Sequence, residues 1–236
     1  MTVAGILASK PSTLVAEADP VALLGPARRF VSRGGEKLEA ALDRFGIDVA
    51  GARCLDAGAS TGGFTDCLLQ RGSEHVVALD VGYGQLAWRL RTDPRVTVME
   101  RTNVRALTAG HLPYAPNVVV ADLSFISLKT AIPALSAVAT VGADLVLLVK
   151  PQFEAGPDRV GRGGVVRDPR VWRDAIEGVA EGCVDTGLAP LAVMASPLSG
   201  PAGNVEFPMH ARKASRSRPL DLEGALEEGR AIGGRT

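Results

Sequence analysis

Cysteine, aromatic residues and net charge are all scarce in this chain of 236 residues. Its cysteines, Cys54, Cys67 and Cys183, are odd in number and lack C-x-x-C spacing, which excludes a disulfide framework and a cysteine metal or redox site. An aromatic content of 4% argues against the stacking surfaces of single-strand-binding proteins. Basic and acidic residues number 26 each, so nucleic-acid contacts must come from local clusters. We expect a cytoplasmic protein without a metal.

An uninterrupted membrane-spanning run is also missing. Residues 131–149 are nearly all apolar, but they contain Pro133, Gly142 and Asp144. A central charge costs about 3 kcal/mol in a bilayer, so this segment predicts a short helix followed by a buried strand. The first ten residues are too short and polar for a secretory signal. We therefore expect no stable membrane association.

Short β-branched runs alternate with amphipathic stretches through most of the chain, of which 46% is hydrophobic. This alternation predicts an α/β fold with a doubly wound, mostly parallel seven-stranded sheet. The predicted strands are 53–56, 75–81, 96–100, 118–122, 144–150, 191–196 and 205–211. The predicted helices are 33–45, 62–71, 85–91, 128–138 and 168–186. Outside the main domain at 33–218, we predict a short β unit at 1–25 built around Lys10-Pro11-Ser12, a linker at 26–32 and a weakly helical tail at 219–236.

A glycine-rich segment follows the first strand of the predicted sheet. Gly58, Gly62 and Gly63 allow a tight turn and a close approach of the backbone to a ligand. Asp56 ends the strand, where it would repel a pyrophosphate but would suit a ligand with an ammonium group. Asp80 ends the next strand and can accept hydrogen bonds from ribose hydroxyls. The pattern favours S-adenosylmethionine over NAD, and the plain alternative is that both carboxylates only shape turns.

The candidate cofactor residues extend beyond this segment. Residues 100–103 follow the third strand and are placed to contact the edge of an adenine ring, although an ordinary polar loop is an equal alternative. The full predicted set is Asp56, Ala57, Gly58, Ala59, Ser60, Gly62, Gly63, Phe64, Asp80, Asn103 and Asp122.

Four charged residues are predicted to converge at the carboxyl edge of the sheet. Asp122 ends the fourth strand, and Lys150 closes an apolar strand, where burial would be costly without partners. Glu206 starts the last strand, and Lys37 lies on the early amphipathic helix. Two lysines and two carboxylates around one pocket suit the deprotonation of an alcohol beside a methyl sulfonium. The alternative is two separate structural ion pairs.

Six segments together resemble the TlyA-type ribosomal RNA 2′-O-methyltransferases, also labelled haemolysin A, which are related to FtsJ. They are VSRGGEKL at 31–38, LDAGASTGGFT at 55–65, DVGYGQL at 80–86, DLSFIS at 122–127, KPQFE at 150–154 and GNVE at 203–206. The resemblance implies a Rossmann-like fold that binds S-adenosylmethionine and methylates cytidine in ribosomal RNA. It also implies a Lys–Asp–Lys–Glu tetrad, which falls on Lys37, Asp122, Lys150 and Glu206.

The family has a small N-terminal RNA-binding domain like that of ribosomal protein S four, and residues 1–25 resemble only its closing β part. Truncation, a misplaced start and a true short form remain open. The candidate RNA-binding arginines are Arg28, Arg29, Arg33, Arg159, Arg162 and Arg167.

Three other function classes compete with this interpretation. They are a membrane-active haemolysin-like protein, a Rossmann oxidoreductase and a methyltransferase fold retained as a non-catalytic RNA-binding module.

Overall fold

Two sheets form in the computed structural model, which describes residues 2–8, 13–22 and 28–234. The small sheet is antiparallel and has β1 (Thr2–Val3) between β2 (Ile6–Leu7) and β3 (Val21–Ala22). It lies within the predicted N-terminal β unit, while Lys10, Pro11 and Ser12 fall outside the described residues. The large sheet contains β4 (Arg53–Ala57), β5 (His75–Leu79), β6 (Val96–Met99), β7 (Val118–Ala121), β8 (Asp144–Val149), β9 (Leu188–Val193) and β10 (Phe207–Lys213).

The seven strands of the large sheet follow the order β6-β5-β4-β7-β8-β10-β9. From β6 to β8 the neighbours are parallel, whereas β10 runs antiparallel to both β8 and β9. The chain moves outward from β4 in one direction and then returns to start β7 on the other side of β4. Ligands bind at such a switch point in doubly wound sheets. The predicted α/β class and mostly parallel sheet are confirmed.

Helices cover both faces of this sheet. They are α1 (Gly34–Phe45), α2 (Gly63–Gln70), α3 (Trp88–Arg91), α4 (Leu128–Val138), α5 (Pro151–Glu154), α6 (Pro169–Val184) and α7 (Leu222–Gly233). On β4, Leu55 points into a core shared with α4, α6 and α7, and Cys54 points into a second core shared with α1 and α2. Because successive side chains of a strand face opposite ways, one apolar strand supplies both cores. In the described ranges, no helix is both long and apolar enough to span a bilayer.

Several element boundaries differ from the sequence prediction. The predicted helix 85–91 is reduced to α3, because Gly84 adopts a φ of +71° and Ala87 is extended at ψ 136°. The last two strands are each displaced: β9 begins at Leu188 and β10 at Phe207. Hydrophobicity alone does not define where pairing between these two strands starts.

The segments on either side of the predicted main domain pack against it. In the predicted linker, Phe30 is buried, and the Val31 amide donates to Asp66 at 2.8 Å. In the predicted tail, α7 buries Ala225 and Leu226 in the core that contains Trp172. The domain boundaries themselves stay predictions, but these contacts tie residues 30–31 and α7 to the main fold.

Candidate active site

The turn after β4 joins the carboxyl ends of three strands. The Gly58 and Ala59 amides donate to the Leu79 carbonyl at 2.8 and 3.0 Å, and the Asp122 amide donates to the Ala57 carbonyl at 3.0 Å. Gly58 has a φ of +87°, and a Cβ there would lie 2.5 Å from the Asp122 carbonyl oxygen. The position therefore requires glycine for both its conformation and its contact.

Replacement of Gly58 by alanine is expected to distort this turn. The left-handed backbone costs about 1–2 kcal/mol for an L-residue, and the clash adds roughly 1–3 kcal/mol. Gly84→Ala is the matched control, because Gly84 has a φ of +71° but no atom within 4 Å of an added Cβ. Urea unfolding of both variants measures the difference. Equal losses of stability would show that the contact with Asp122 has no cost.

A cleft of about 520 Å³ lies above β4, β5 and β7. Asp80 stands on its wall and accepts hydrogen bonds from the Ser60 amide at 2.8 Å and the Gly82 amide at 2.7 Å. Leu79, Val104 and Ile126 supply apolar lining. We call this space the nucleoside cleft, because it combines an apolar slot with a carboxylate on the wall.

The polar segment that follows β6 contains two residues that line this cleft and two whose side chains contact other residues instead. Thr102 and Asn103 line the nucleoside cleft, and the Asn103 side chain caps a short turn by accepting from the Arg105 amide at 3.0 Å. Glu100 pairs with Arg91, and Arg101 lies over the Tyr83 ring at 4.3 Å. Of the four predicted adenine-edge residues, only Thr102 and Asn103 therefore line the cleft.

Asp56 lies beneath the clefts rather than on their walls. Its Oδ2 accepts from the Thr65 amide at 2.8 Å and from the Thr65 hydroxyl at 2.7 Å, whereas Oδ1 has no hydrogen-bond partner among the described residues. Burial raises the pKa of the Asp56 carboxyl to about 7, with smaller contributions from Asp122 and Asp80, and the Thr65 hydrogen bonds oppose this shift. Ala57 is likewise fully buried, and Gly62 packs against α3 at Leu90. These three do not line either cleft.

The raised pKa of Asp56 predicts a pH effect on stability. Because the folded protein binds this proton more tightly than the unfolded chain, stability falls as pH rises from about 4 to about 7. Asp56→Asn keeps an acceptor for Thr65 and removes the ionisation. The free energy of unfolding of the variant minus that of the wild type should therefore increase as pH rises across that window, by up to about 4 kcal/mol. Urea unfolding at pH 4.5 and 7.5 measures this, and parallel profiles would contradict it.

A second cleft, of about 280 Å³, gathers the four predicted catalytic residues. Lys37 comes from α1, Asp122 follows β7, Lys150 follows β8 and Glu206 precedes β10. All four line this space, which we call the tetrad cleft. It shares Gly58, Ser60, Asp122 and Ser124 with the nucleoside cleft, so the two form one continuous site.

The tetrad consists of two ion pairs. The Lys150 Nζ lies 2.5 Å from Asp122 Oδ1 and donates to the Ser124 hydroxyl at 2.9 Å. The Lys37 Nζ lies 2.5 Å from Glu206 Oε2, and both side chains are less than a tenth exposed. The alternative was two separate structural ion pairs; the structure has two ion pairs, but both face one cleft. Glu206 contacts Lys37 and not Lys150.

Ser124 is a site residue that the sequence prediction omits. Its hydroxyl accepts from Lys150, and it lines both clefts. Its position two residues after Asp122 was the available signal, since a residue just past a strand end can turn into the same crevice.

The predicted RNA-binding arginines separate into distinct environments. Arg33 lines the tetrad cleft. Arg29 pairs with Glu39 and Arg159 with Asp174, both at 2.6 Å. Arg28 and Arg162 are exposed, and Arg167 lines a different groove beyond Pro201.

Several known proteins are similar to this chain along most of its length. It is 52% identical over 221 residues to the 16S/23S rRNA (cytidine-2'-O)-methyltransferase TlyA of Mycobacterium tuberculosis, covering 93% of this chain and 82% of that protein. It is 41% identical over 183 residues to Hemolysin A of Brachyspira hyodysenteriae, covering 77% and 76%. A solved structure of a protein from Lactococcus lactis has 43% identity and a TM-score of 0.81, covering 84% of this chain and 97% of that one.

The family model of the FtsJ-like methyltransferases matches residues 30–213, a range that contains both clefts and all four tetrad residues. The resemblance indicated by the sequence motifs is confirmed: the chain belongs to the FtsJ-like methyltransferase family.

Proposed function

We propose that this protein transfers a methyl group from S-adenosylmethionine to the ribose 2′-hydroxyl of a cytidine in ribosomal RNA, within a ribosomal subunit. The observation that carries the proposal is the convergence of Lys37, Asp122, Lys150 and Glu206 on one cleft that opens into the nucleoside cleft. The relative from Mycobacterium tuberculosis, named as an rRNA cytidine-2′-O-methyltransferase, supports the substrate.

The residues present fit S-adenosylmethionine. Asp80 can accept from ribose hydroxyls because its two amide hydrogen bonds leave lone pairs unused. The apolar lining near Val104 suits adenine. Gly58 stands where the two clefts meet, and a Cβ added there would crowd the backbone of Asp122. When bound, S-adenosylmethionine supplies an electrophilic methyl group on its sulfonium. Asp56, with one buried oxygen that has no hydrogen-bond partner in the described part of the chain, supports the turn from below.

Lys150 is the residue we assign to the hydroxyl proton. Its amine stands at the junction of the clefts, where Asp122 and Ser124 restrict its position. In this position Lys150 is placed to remove, or help remove, the proton of the ribose hydroxyl as its oxygen attacks the methyl group.

Lys37 and Glu206 act as orienting groups in this proposal. Their buried ion pair lines the same cleft as Lys150, so it can hold the ribose while Asp122 holds Lys150. Methyl transfer requires the attacking oxygen in line with the departing sulfur, and restriction of the ribose supplies much of the rate. Arg33 at the same cleft is placed to contact a phosphate of the RNA.

Methyl transfer to isolated ribosomal subunits tests this function. The purified protein is incubated with each subunit and labelled S-adenosylmethionine, and the modified nucleoside is identified by mass spectrometry. The expected product is 2′-O-methylcytidine at a defined position. Label on a base, or no label on either subunit, would contradict the proposal. Liposome leakage under the same conditions tests the membrane-active alternative, and calorimetry with NAD tests the oxidoreductase.

A further inference from the structure

A groove of about 480 Å³ borders the tetrad cleft. It lies between the start of α6, the end of α7 and the turn at residues 201–205, and it shares Pro201 with the tetrad cleft. Val205, which lines the groove, directly precedes Glu206. A ligand could therefore continue from the tetrad cleft into this groove, which we call the flanking groove.

The wall of the flanking groove is held by buried hydrogen bonds. Asn204, which is 3% exposed, accepts from the Val166 amide and donates to the Gly164 carbonyl, both at 2.9 Å. The buried Trp172 indole donates to the Val166 carbonyl at 2.9 Å. Both polar groups of the Val166 backbone are thus engaged, so the chain is fixed beside Arg167. The groove is preorganised.

Two arginines line this groove. Arg167 and Arg230 are exposed, and neither lies within 4.0 Å of an Asp or Glu side chain in the ranges that the structure describes. By contrast, Arg159 pairs with Asp174 and Arg173 pairs with Glu223. The two cations at the groove are therefore available to an external anion.

The remaining lining is largely apolar. Val165, Val205 and Trp172, each less than a tenth exposed, line the groove together with Pro169, and a ribose or a base edge can pack against this apolar lining. A free phosphate would leave this surface uncovered, whereas a nucleotide would cover it and place its phosphate at the arginines. Guanidinium groups match phosphate geometry well.

We propose that the flanking groove binds a nucleotide of the substrate RNA next to the methylated one, with its phosphodiester held by Arg167 and Arg230. This inference rests on the proposed function, because it assigns the RNA path out of the tetrad cleft. It adds Arg230 to the interface and distinguishes Arg167 from the paired Arg159.

The test compares Arg167→Gln, Arg230→Gln and their double variant with Arg53→Gln as the matched control, because Arg53 is an exposed arginine paired with Glu74 at the start of β4, outside both clefts and the groove. Filter binding with an rRNA transcript and methyl transfer to subunits are measured between 50 and 200 mM salt, roughly the range where phosphate contacts are most sensitive. Each groove substitution should weaken RNA binding and raise KM by about tenfold, and reduce the salt slope by about one. kcat, the Kd for S-adenosylmethionine and Tm should stay at wild-type values, as should every property of the control.

The proposal is overturned if the groove variants bind RNA with the same affinity and salt slope as Arg53→Gln. It is also overturned if kcat falls while KM stays constant, because that pattern would indicate a role in chemistry. The two proposals fail separately. A wild-type protein that binds the transcript through these arginines but transfers no methyl would refute the proposed function and leave the groove assignment standing.

Discussion

Lys150→Met is expected to lower kcat for methyl transfer by about 10²–10⁴-fold, the usual contribution of a positioned acid–base group. Methionine retains the length of the side chain, so the loss reports on the amine. The Kd for S-adenosylmethionine should remain within about twofold of wild type, because Lys150 does not line the nucleoside cleft. Single-turnover kinetics with ribosomal subunits separates chemistry from binding.

Lys129→Met is the control for this variant. Lys129 is an exposed lysine on α4, outside both clefts, so its replacement should leave kcat unchanged. Asp122 is 25% exposed at its side chain and can be hydrated after Lys150 is removed, so the fold should persist. A Lys150→Met protein with wild-type kcat would exclude Lys150 from proton transfer and require another base.

Disruption of the Lys37–Glu206 pair is expected to reduce both activity and stability. The two side chains are 7% and 3% exposed, and removal of one partner leaves a buried charge without compensation. Lys37→Met and Glu206→Gln should each lower the free energy of unfolding by about 3–5 kcal/mol. The double variant should lose less than the sum of the single variants, because its second substitution removes the stranded charge. Urea unfolding of all four proteins gives the coupling energy.

The matched control is the same cycle at Arg53 and Glu74. That pair is also close, at 2.8 Å, but its side chains are 54% and 53% exposed. Exposed pairs contribute about 0–1 kcal/mol, so its coupling should be small. If the two cycles give equal coupling energies, burial does not strengthen the tetrad pair, and its role would be confined to orienting the substrate.

The predictability of the elements followed the strength of their local signals. The helix at 128–138 has the predicted bounds, because Ser127 caps it and the apolar residues recur at helical spacing. The apolar run at 131–149 resolves into the end of α4 and β8 as predicted. The starts of β9 and β10 were misplaced by two or three residues, because strand limits depend on pairing with neighbours.

The candidate site was likewise predicted where local signals were strong and was missed where packing decided the outcome. The tetrad residues stand at strand ends and on α1, positions that periodicity reveals, and all four line one cleft. The predicted contact of Asp56 with the cofactor has no such support, because its carboxylate turns inward to Thr65. A side chain at a strand end can point either into the crevice or beneath the turn, and only packing distinguishes these orientations.

The linear sequence alone determined the layered α/β architecture, the glycine turn at the switch point and the charged residues to which we assign the chemistry. Those features depend on periodicity and local backbone freedom, which neighbouring residues specify. Only the tertiary structure decided which charges pair, because Lys37 and Glu206 are 169 residues apart. It also decided which arginines keep carboxylate partners and which face the flanking groove. Distance and burial govern both outcomes, and they exist only once the chain is folded.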